Sequence, residues 1–353
     1  MAELRLRALV LAAGHGLRLR PLTDVVPKPL LPILGRPVIE QSLAVLSALG
    51  CEAVALNLHH LGDQVEEAFG GAFRGMRLVY SRERELKGTL GALGPLREFA
   101  AAADLFLVIN GDSLCRWPLA KMIRRHQTAG ALATLMLTTR ASPKTFGGGV
   151  IVRRDETIRS LRGGERGEKE HRRVFAGAHL FAPALLERSA QPLTADSEAA
   201  DFVSDLYQPL LAAGETLLGF ESRRHWHDLG TPERYLAGAR DWALGRWPRR
   251  LWRRSWVAPG VELGREANIN GSVIERRAVI GDDCRIERSL VLSGAHIESG
   301  STIRRAIIGP GVVVPAGSTI KRRLVTTARA DLAPRAIDSV VGGLVYSRLE
   351  GAR

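Results

Sequence analysis

LVLAAGHGLRLRPLTDVVPKPLLPILGRPVIE, running from Leu9 to Glu40, is the stretch from which the remainder of the chain can be ordered. Its opening apolar run, Ala8 to Ala13, reads as a buried strand. The run leads directly into Gly14-His15-Gly16. Glycines there let the backbone turn sharply and bring its N–H groups against a ligand. Arg18 and Arg20, a Pro21-Leu22-Thr23 turn and Pro27-Lys28-Pro29 follow. Cations just after a glycine turn at a strand end point to a polyphosphate site. The pattern is not a P-loop, which needs Gly-Lys-Ser/Thr after four residues. Nor is it a dinucleotide fingerprint, which needs a third glycine at the right offset.

The bulk numbers describe an ordinary globular chain long enough for two domains: 353 residues, 45% hydrophobic and 25% charged. The formal net charge of +13 invites a nucleic-acid reading. The distribution argues against it. Of the 50 basic residues 44 are Arg, spread through the chain with no module that reads RNA or DNA beneath them. An anionic substrate and a compositional habit account for the charge. The cysteines Cys51, Cys115 and Cys284 are far apart and read as small core hydrophobes in a reducing compartment. The N-terminal MAELRLRALVLAAG has too short an apolar run for an export signal. No window is long and apolar enough for a membrane span. The expectation is a cytoplasmic protein with no nucleic-acid or membrane partner.

Strands and helices alternate after the opening stretch. Val38 to Leu49 has helical spacing, Glu52 to Leu58 reads as a strand, Leu61 to Phe69 as a helix and Met76 to Tyr80 as a strand. Such alternation predicts parallel βαβ units in a three-layer α/β sandwich, with ligands at the carboxyl ends of the strands. Asp104 to Leu114, DLFLVINGDSL, is an apolar strand that ends in Asn110-Gly111-Asp112. A carboxylate at the tip of a central strand is costly to leave unpaired. Leu119 to Gly130 reads as a helix and Ala131 to Leu137 as a strand.

Taken whole, Leu9 to Glu40 resembles the signature of the sugar-1-phosphate nucleotidyltransferases: a strand, then LAAGxGxRLxPLT, then PKPLxPxxGxPxxE. Arg18, Pro21, Lys28, Pro29, Gly35, Pro37 and Glu40 are all in register, and Leu17 stands where many members carry Thr or Ser. Further segments resemble the family too. Lys87-Gly88-Thr89-Leu90-Gly91-Ala92-Leu93 is similar to its LGTAGAL loop beside the nucleotide base, and Asn110-Gly111-Asp112 to its NGD. Phe146-Gly147-Gly148-Gly149-Val150 resembles the YGVV segment that approaches the sugar. Val174 to Pro183 resembles the strand lining the sugar pocket, and Asp201 to Gly214 fits its helix. Trp226-His227-Asp228-Leu229-Gly230-Thr231-Pro232-Glu233-Arg234-Tyr235 resembles WxDxGTPExY. The family's EKP motif has no counterpart near Ile158; Lys169 is the candidate substitute, with Lys144 and Arg162 as rivals.

The resemblance implies a Rossmann-like, GT-A-like nucleotidyltransferase domain and a set of roles. Backbone of Leu11, Ala12, Ala13, Gly14 and Gly16, with Gly88 and Thr89, would hold the nucleotide. Arg18 and Lys28 would be catalytic. Gly148, Gly149 and Lys169 would meet the sugar, and Asp112 and Asp228 would bind Mg²⁺. His225 and His227 flank Asp228 and read as pocket lining or packing.

The period changes after a boundary at 241–256 that carries Trp242, Trp247, Trp252 and Trp256 among arginines, read as a linker. Aliphatic residues recur at 257, 263, 269, 274, 280, 286, 292, 297, 303, 308, 314 and 320, with small residues between. This is a hexapeptide repeat. The resemblance to hexapeptide proteins implies a short left-handed parallel β-helix of three to four coils, each about eighteen residues. It is the expected homo-oligomer contact. A second, acyltransferase site is the lesser reading, since His296 is the repeat's single histidine. The expected domains are 1–240 catalytic, 241–256 linker, 257–324 β-helix and 325–353 a tail or short helical extension.

The expected activity joins an NTP to a sugar 1-phosphate, giving an NDP-sugar and pyrophosphate. Asn57 to Gly62, NLHHLG, resembles the mannose-1-phosphate guanylyltransferase branch. Glucose or N-acetylmuramate 1-phosphate with UTP or dTTP is the alternative. A catalytically silent subunit that binds NDP-sugar is the alternative of another class.

Overall fold

The structure, a computed structural model, describes residues 4–189, 193–194, 198–245 and 255–349. The chain packs as two units, residues 4–15 with 38–227 and residues 16–37 with 228–349. The 16–37 segment therefore packs with the C-terminal half rather than with the strand that precedes it.

The first unit is built on a ten-stranded sheet. Four parallel strands form its centre: β1 (Leu6–Leu11), β2 (Ala53–Leu58), β3 (Met76–Arg82) and β4 (Leu105–Asn110), in the order β4-β1-β2-β3. Every residue of β2 is buried, as a strand covered on both faces requires. Helix α1 (Val38–Ala48) turns Val38, Ile39, Ser42, Leu43 and Leu46 inward at helical spacing. Beyond β4 the expected parallel pattern stops. β7 (Glu170–Phe181) runs antiparallel to β4 and carries the sheet on to β6 (Val150–Arg153), also antiparallel. β5 (Ala133–Thr138) pairs with β7 and, in parallel, with β8 (Leu217–Ser222). The link from β6 to β7 contains no helix: the chain turns back through a short strand at Ile158–Ser160, antiparallel to β6 on one edge, and then crosses to β7, antiparallel to β6 on the other.

The second unit contains a short hairpin, Pro32–Ile33 paired with Arg36–Pro37, helix α2 (Pro232–Gly245) and the repeat. The repeat forms a parallel β-helix. Ile274, Val291, Ile308 and Val325 stack at intervals of 17 residues. Ile280, Ile297 and Val314 make a second column, and Ile286, Ile303 and Ile320 a third. A coil is thus 17 residues rather than about eighteen, and Val291 takes the inward place expected for Leu292. Val257 and Leu263, at the start of the pattern, are exposed. Serines at the same interval tie coils together: Ser255 Oγ accepts from Ser272 N–H, Ser272 Oγ from Ser289 N–H and Ser289 Oγ from Ala306 N–H.

After the last coil the chain forms strands rather than a helix. Leu344–Arg348 runs antiparallel to Arg323–Thr327 and pairs with Ser339–Val341. The hairpin covers the last edge of one β-helix face. Trp242 is buried on α2, while Trp247, Trp252 and residues 246–254 lie outside the described residues. Cys51, Cys115 and Cys284 are buried and free, and burial pushes the Cys51 and Cys115 thiols up to about 12. They are core residues, as their spacing implied. Among the described residues no helix is long and apolar enough to cross a membrane.

Candidate active site

In the first unit the parallel strands deliver their carboxyl ends to one edge. Leu11 and Asn110 lie in register on β1 and β4, and the Gly111 N–H donates to the Leu11 carbonyl at 2.9 Å. Asp112 therefore stands half-buried beside the start of the glycine turn. The amides of Ala12 and Ala13 already have an acceptor. Both donate to Asn57 Oδ1, at 2.8 and 3.4 Å, from the tip of β2. Asn57 Nδ2 donates to Glu83 Oε1 at 2.7 Å, and Glu83 Oε2 accepts the Lys87 N–H at 3.0 Å. This chain of bonds ties the glycine turn to the Lys87-Gly88-Thr89 loop.

Gly88 has φ +74, and a Cβ there would fall 2.4 Å from the Ala200 carbonyl oxygen. Only glycine fits so close an approach. Thr89 Oγ1 donates to Asp201 Oδ2 at 2.7 Å and accepts from the Phe202 N–H at 3.1 Å. The His15 ring, at the mouth of the glycine turn, meets His59 edge-on with centroids 4.7 Å apart and lies 6.1 Å from His60. The sequence reading named these histidines without seeing that they gather. It also missed Glu83 and Asp201. Asn57 was visible only as part of NLHHLG, although a polar residue at the tip of a buried parallel strand is itself a signal.

The sugar-side candidates separate. Gly148 and Gly149 lie just before β6, and the Gly149 carbonyl accepts the Gly163 N–H. Arg153 at the far end of β6 faces Glu170, next to Lys169. A four-residue strand spans about 13 Å, so Lys169 and the two glycines stand at opposite ends of β6. The rivals are better placed. Arg162 precedes Gly163, and Lys144 lies in the turn whose Pro143 carbonyl accepts the Gly148 N–H.

In the second unit two distant parts of the sequence meet. A Cβ on Gly230 would lie 2.5 Å from Asp228 Oδ1 and 2.9 Å from Arg18 Nη2. The absent side chain is what lets the Arg18 guanidinium lie over this backbone beside Asp228. Asp228 Oδ1 also accepts from the Gly230 N–H at 2.7 Å and from Arg234 Nη1 at 3.0 Å. Arg234 is a further residue that the sequence reading did not assign. Lys28 opens a one-turn helix, Lys28–Leu30, whose Lys28 carbonyl accepts the Leu31 N–H.

Among the described residues no three His, Cys, Asp or Glu side chains form a metal cage. One or two carboxylates, with the remaining ligands from phosphate and water, is the donor set that Mg²⁺ favours. Asp112 in the first unit and Asp228 in the second are each a carboxylate of the kind such a set draws on.

Residues 7–243 match the nucleotidyl transferase family, and residues 248–329 match the GlmU-like C-terminal hexapeptide family. The chain is 31% identical to a mannose-1-phosphate guanylyltransferase of Mycobacterium tuberculosis over 81% of this chain and 80% of that one. It is 28% identical to the mannose-1-phosphate guanylyltransferase catalytic subunit beta of Drosophila pseudoobscura pseudoobscura, over 79% of this chain and 72% of the relative. A solved structure from Bacillus anthracis, described as a glucose-1-phosphate thymidylyltransferase, aligns with TM-score 0.57 at 21% identity. That alignment covers 69% of this chain and 96% of the other. The chain belongs to the nucleotidyl transferase family, and it is an enzyme of that class.

Proposed function

We propose that this sugar-1-phosphate nucleotidyltransferase joins GTP to mannose 1-phosphate, releasing pyrophosphate. An oxygen of the sugar phosphate attacks the α-phosphorus, a new P–O bond forms, and the bond to the β-phosphate oxygen breaks. Both reactants are polyanions, so the chain's task is to align them and offset charge. Arg18 holds the leaving β- and γ-phosphates. Lys28 meets the α-phosphate as charge builds there. Backbone around Leu11 to Gly16 and the Gly88-Thr89 loop holds the nucleotide, with Ala12 and Ala13 exchanging Asn57 for the ligand. Gly148 and Gly149 face the sugar, and Arg162 or Lys144, rather than Lys169, supplies its phosphate with a cation. Asp112 and Asp228 would hold Mg²⁺, which supplies charge neutralisation at the phosphates. Arg234 keeps the Asp228 carboxylate in place.

The observation that carries this reading is the meeting of Arg18 with Asp228 over Gly230. Two signature segments more than two hundred residues apart are brought together in the second unit. The names of the relatives support the choice of GTP and mannose 1-phosphate. The test is pyrophosphate release across four NTPs and several sugar 1-phosphates with Mg²⁺. The expected result is one dominant combination, GTP with mannose 1-phosphate. A different dominant pair overturns the substrate assignment, and a blank grid overturns the enzymatic reading.

A further inference from the structure

The hairpin Pro32–Pro37 turns through Leu34 and Gly35 at φ 53 and 77. A two-residue turn of this kind suits a hairpin, and the left-handed φ costs Leu energy that Gly does not pay. Its tip meets the β-helix. The N–H groups of Gly35 and Leu34 are directed at the carboxylate of Glu275. Glu275 is fully buried, yet neither of its oxygens completes a well-aligned hydrogen bond. The next residue, Arg276, packs on the same tip: a Cβ on Gly35 would lie 3.0 Å from its Nε. The base of the hairpin is held from α2, where the buried Tyr235 hydroxyl donates to the Pro32 carbonyl at 2.8 Å.

Nothing in the coil itself asks for a carboxylate there. Ile274 stacks on Val291 and Ile308, so the places equivalent to Glu275 in the next two coils are Leu292 and Gly309. A buried carboxylate without a good partner is costly, and an apolar side chain in its place would be cheaper. Its chemistry is aimed at the turn. Leu31 alone separates the Lys28–Leu30 turn from the first hairpin strand, and Leu31 and Ile33 are both buried. So short and packed a link transmits a shift of the hairpin to Lys28.

We propose that Glu275 is a positioning residue for Lys28, acting from the β-helix through the hairpin tip. The proposal rests on the role given to Lys28 above. Burial raises the Glu275 carboxyl to about 7, against the pull of the two N–H groups and Arg276. Among the described residues, Tyr235 on α2 is a further titratable group that senses its charge. The carboxylate holds the turn best when ionised, so turnover rises with pH through that range.

The experiment compares the full-length protein with Glu275→Gln and Glu275→Leu, the latter copying Leu292 of the next coil. With GTP and mannose 1-phosphate, both variants are expected to lose about tenfold or more in kcat with little change in KM for the nucleotide. The rise of kcat through neutral pH disappears in both. Melting temperatures hold, with the Leu variant no less stable than the parent. Hydrogen exchange of the amides from Lys28 to Arg36 is measured in the same proteins without substrate, and it is expected to quicken. Parental kcat and pH profile in either folded variant overturn the proposal. So does unchanged exchange at Lys28 to Leu31, whatever role Lys28 has. A parental rate in Lys28→Ala instead overturns the role of Lys28 itself.

Discussion

Asp228 shows how closely a single carboxylate can be specified by its neighbours. One oxygen takes a backbone N–H and a guanidinium, and Gly230 leaves the space through which Arg18 approaches. Roles placed on charge development are read in kcat. Lys28→Ala and Asp112→Asn are each expected to lower kcat by about a hundredfold or more. Both are at strand or turn ends outside the core clusters, so the melting temperature stays within about 2 °C of the parent. Parallel rate and calorimetric measurements check both. The strand-end position of Asp112 was legible in the apolar run before it, but by itself a carboxylate there reads first as a helix cap, and its role came only from the resemblance of Asn110-Gly111-Asp112 to the family's NGD. Arg234 and Glu275 were not legible. An arginine in a helix and a glutamate in a repeat of alternating residues both read as solvated, and only the fold shows what each one faces.

The Lys87–Leu93 loop is an element whose packing leaves a single change little room. Its Gly88 lies in the left-handed region against the Ala200 carbonyl, and the Leu90 and Gly91 N–H groups donate to that same oxygen. Gly88→Ala combines backbone strain with a steric clash. The expected cost is about 2 kcal/mol or more in urea unfolding, with a raised KM for the nucleotide. An unchanged midpoint and KM would remove the loop from the nucleotide site. The same element shows what sequence could and could not give. Its glycine pattern marked a close approach, but the approaching backbone, Ala200-Asp201, comes from more than a hundred residues away. The β-helix columns were legible because their inward aliphatics recur. The shift from Leu292 to Val291 was not, because adjacent aliphatic residues look alike until stacking selects one. The sheet's turn to antiparallel pairing was hidden for another reason: the direction of β7 depends on a link without a helix, and the residues of that link carry no periodic signal.

Over the whole molecule, the two units carry opposite responses to pH. In the first, His179 is buried among Phe175, Phe181, Phe202 and Tyr207, and burial lowers its imidazole to about 3. A depressed histidine gives stability that is present above its ordinary value near 6.5 and lost as pH falls below it. In the second, burial raises Glu275 to about 7 from 4.5, so ionisation costs the β-helix stability even as it strengthens the hold of the carboxylate on the hairpin tip. Its contribution is full below 4.5 and is lost as pH rises toward 7, by about 3 kcal/mol at most. Hydrogen exchange reads each core separately. Between pH 5 and 7.5 the protection of β4 and β7, corrected for intrinsic rates, is expected to rise, while that of the strands around Ile274 and Val291 falls. Glu275→Gln is expected to flatten the second trend and leave the first. The 17-residue coil has a further consequence, for how this chain can lengthen or shorten. Residues 288–304 make one complete coil, and removing them would join Glu287 to Arg305, the residue that already stands one coil beyond Arg288 at the same corner. Inward residues would still meet inward residues. Losing a single hexad would instead turn everything downstream by a third of a revolution and carry the terminal hairpin to a different face. In this half of the protein, insertions and deletions are arithmetic modulo 17.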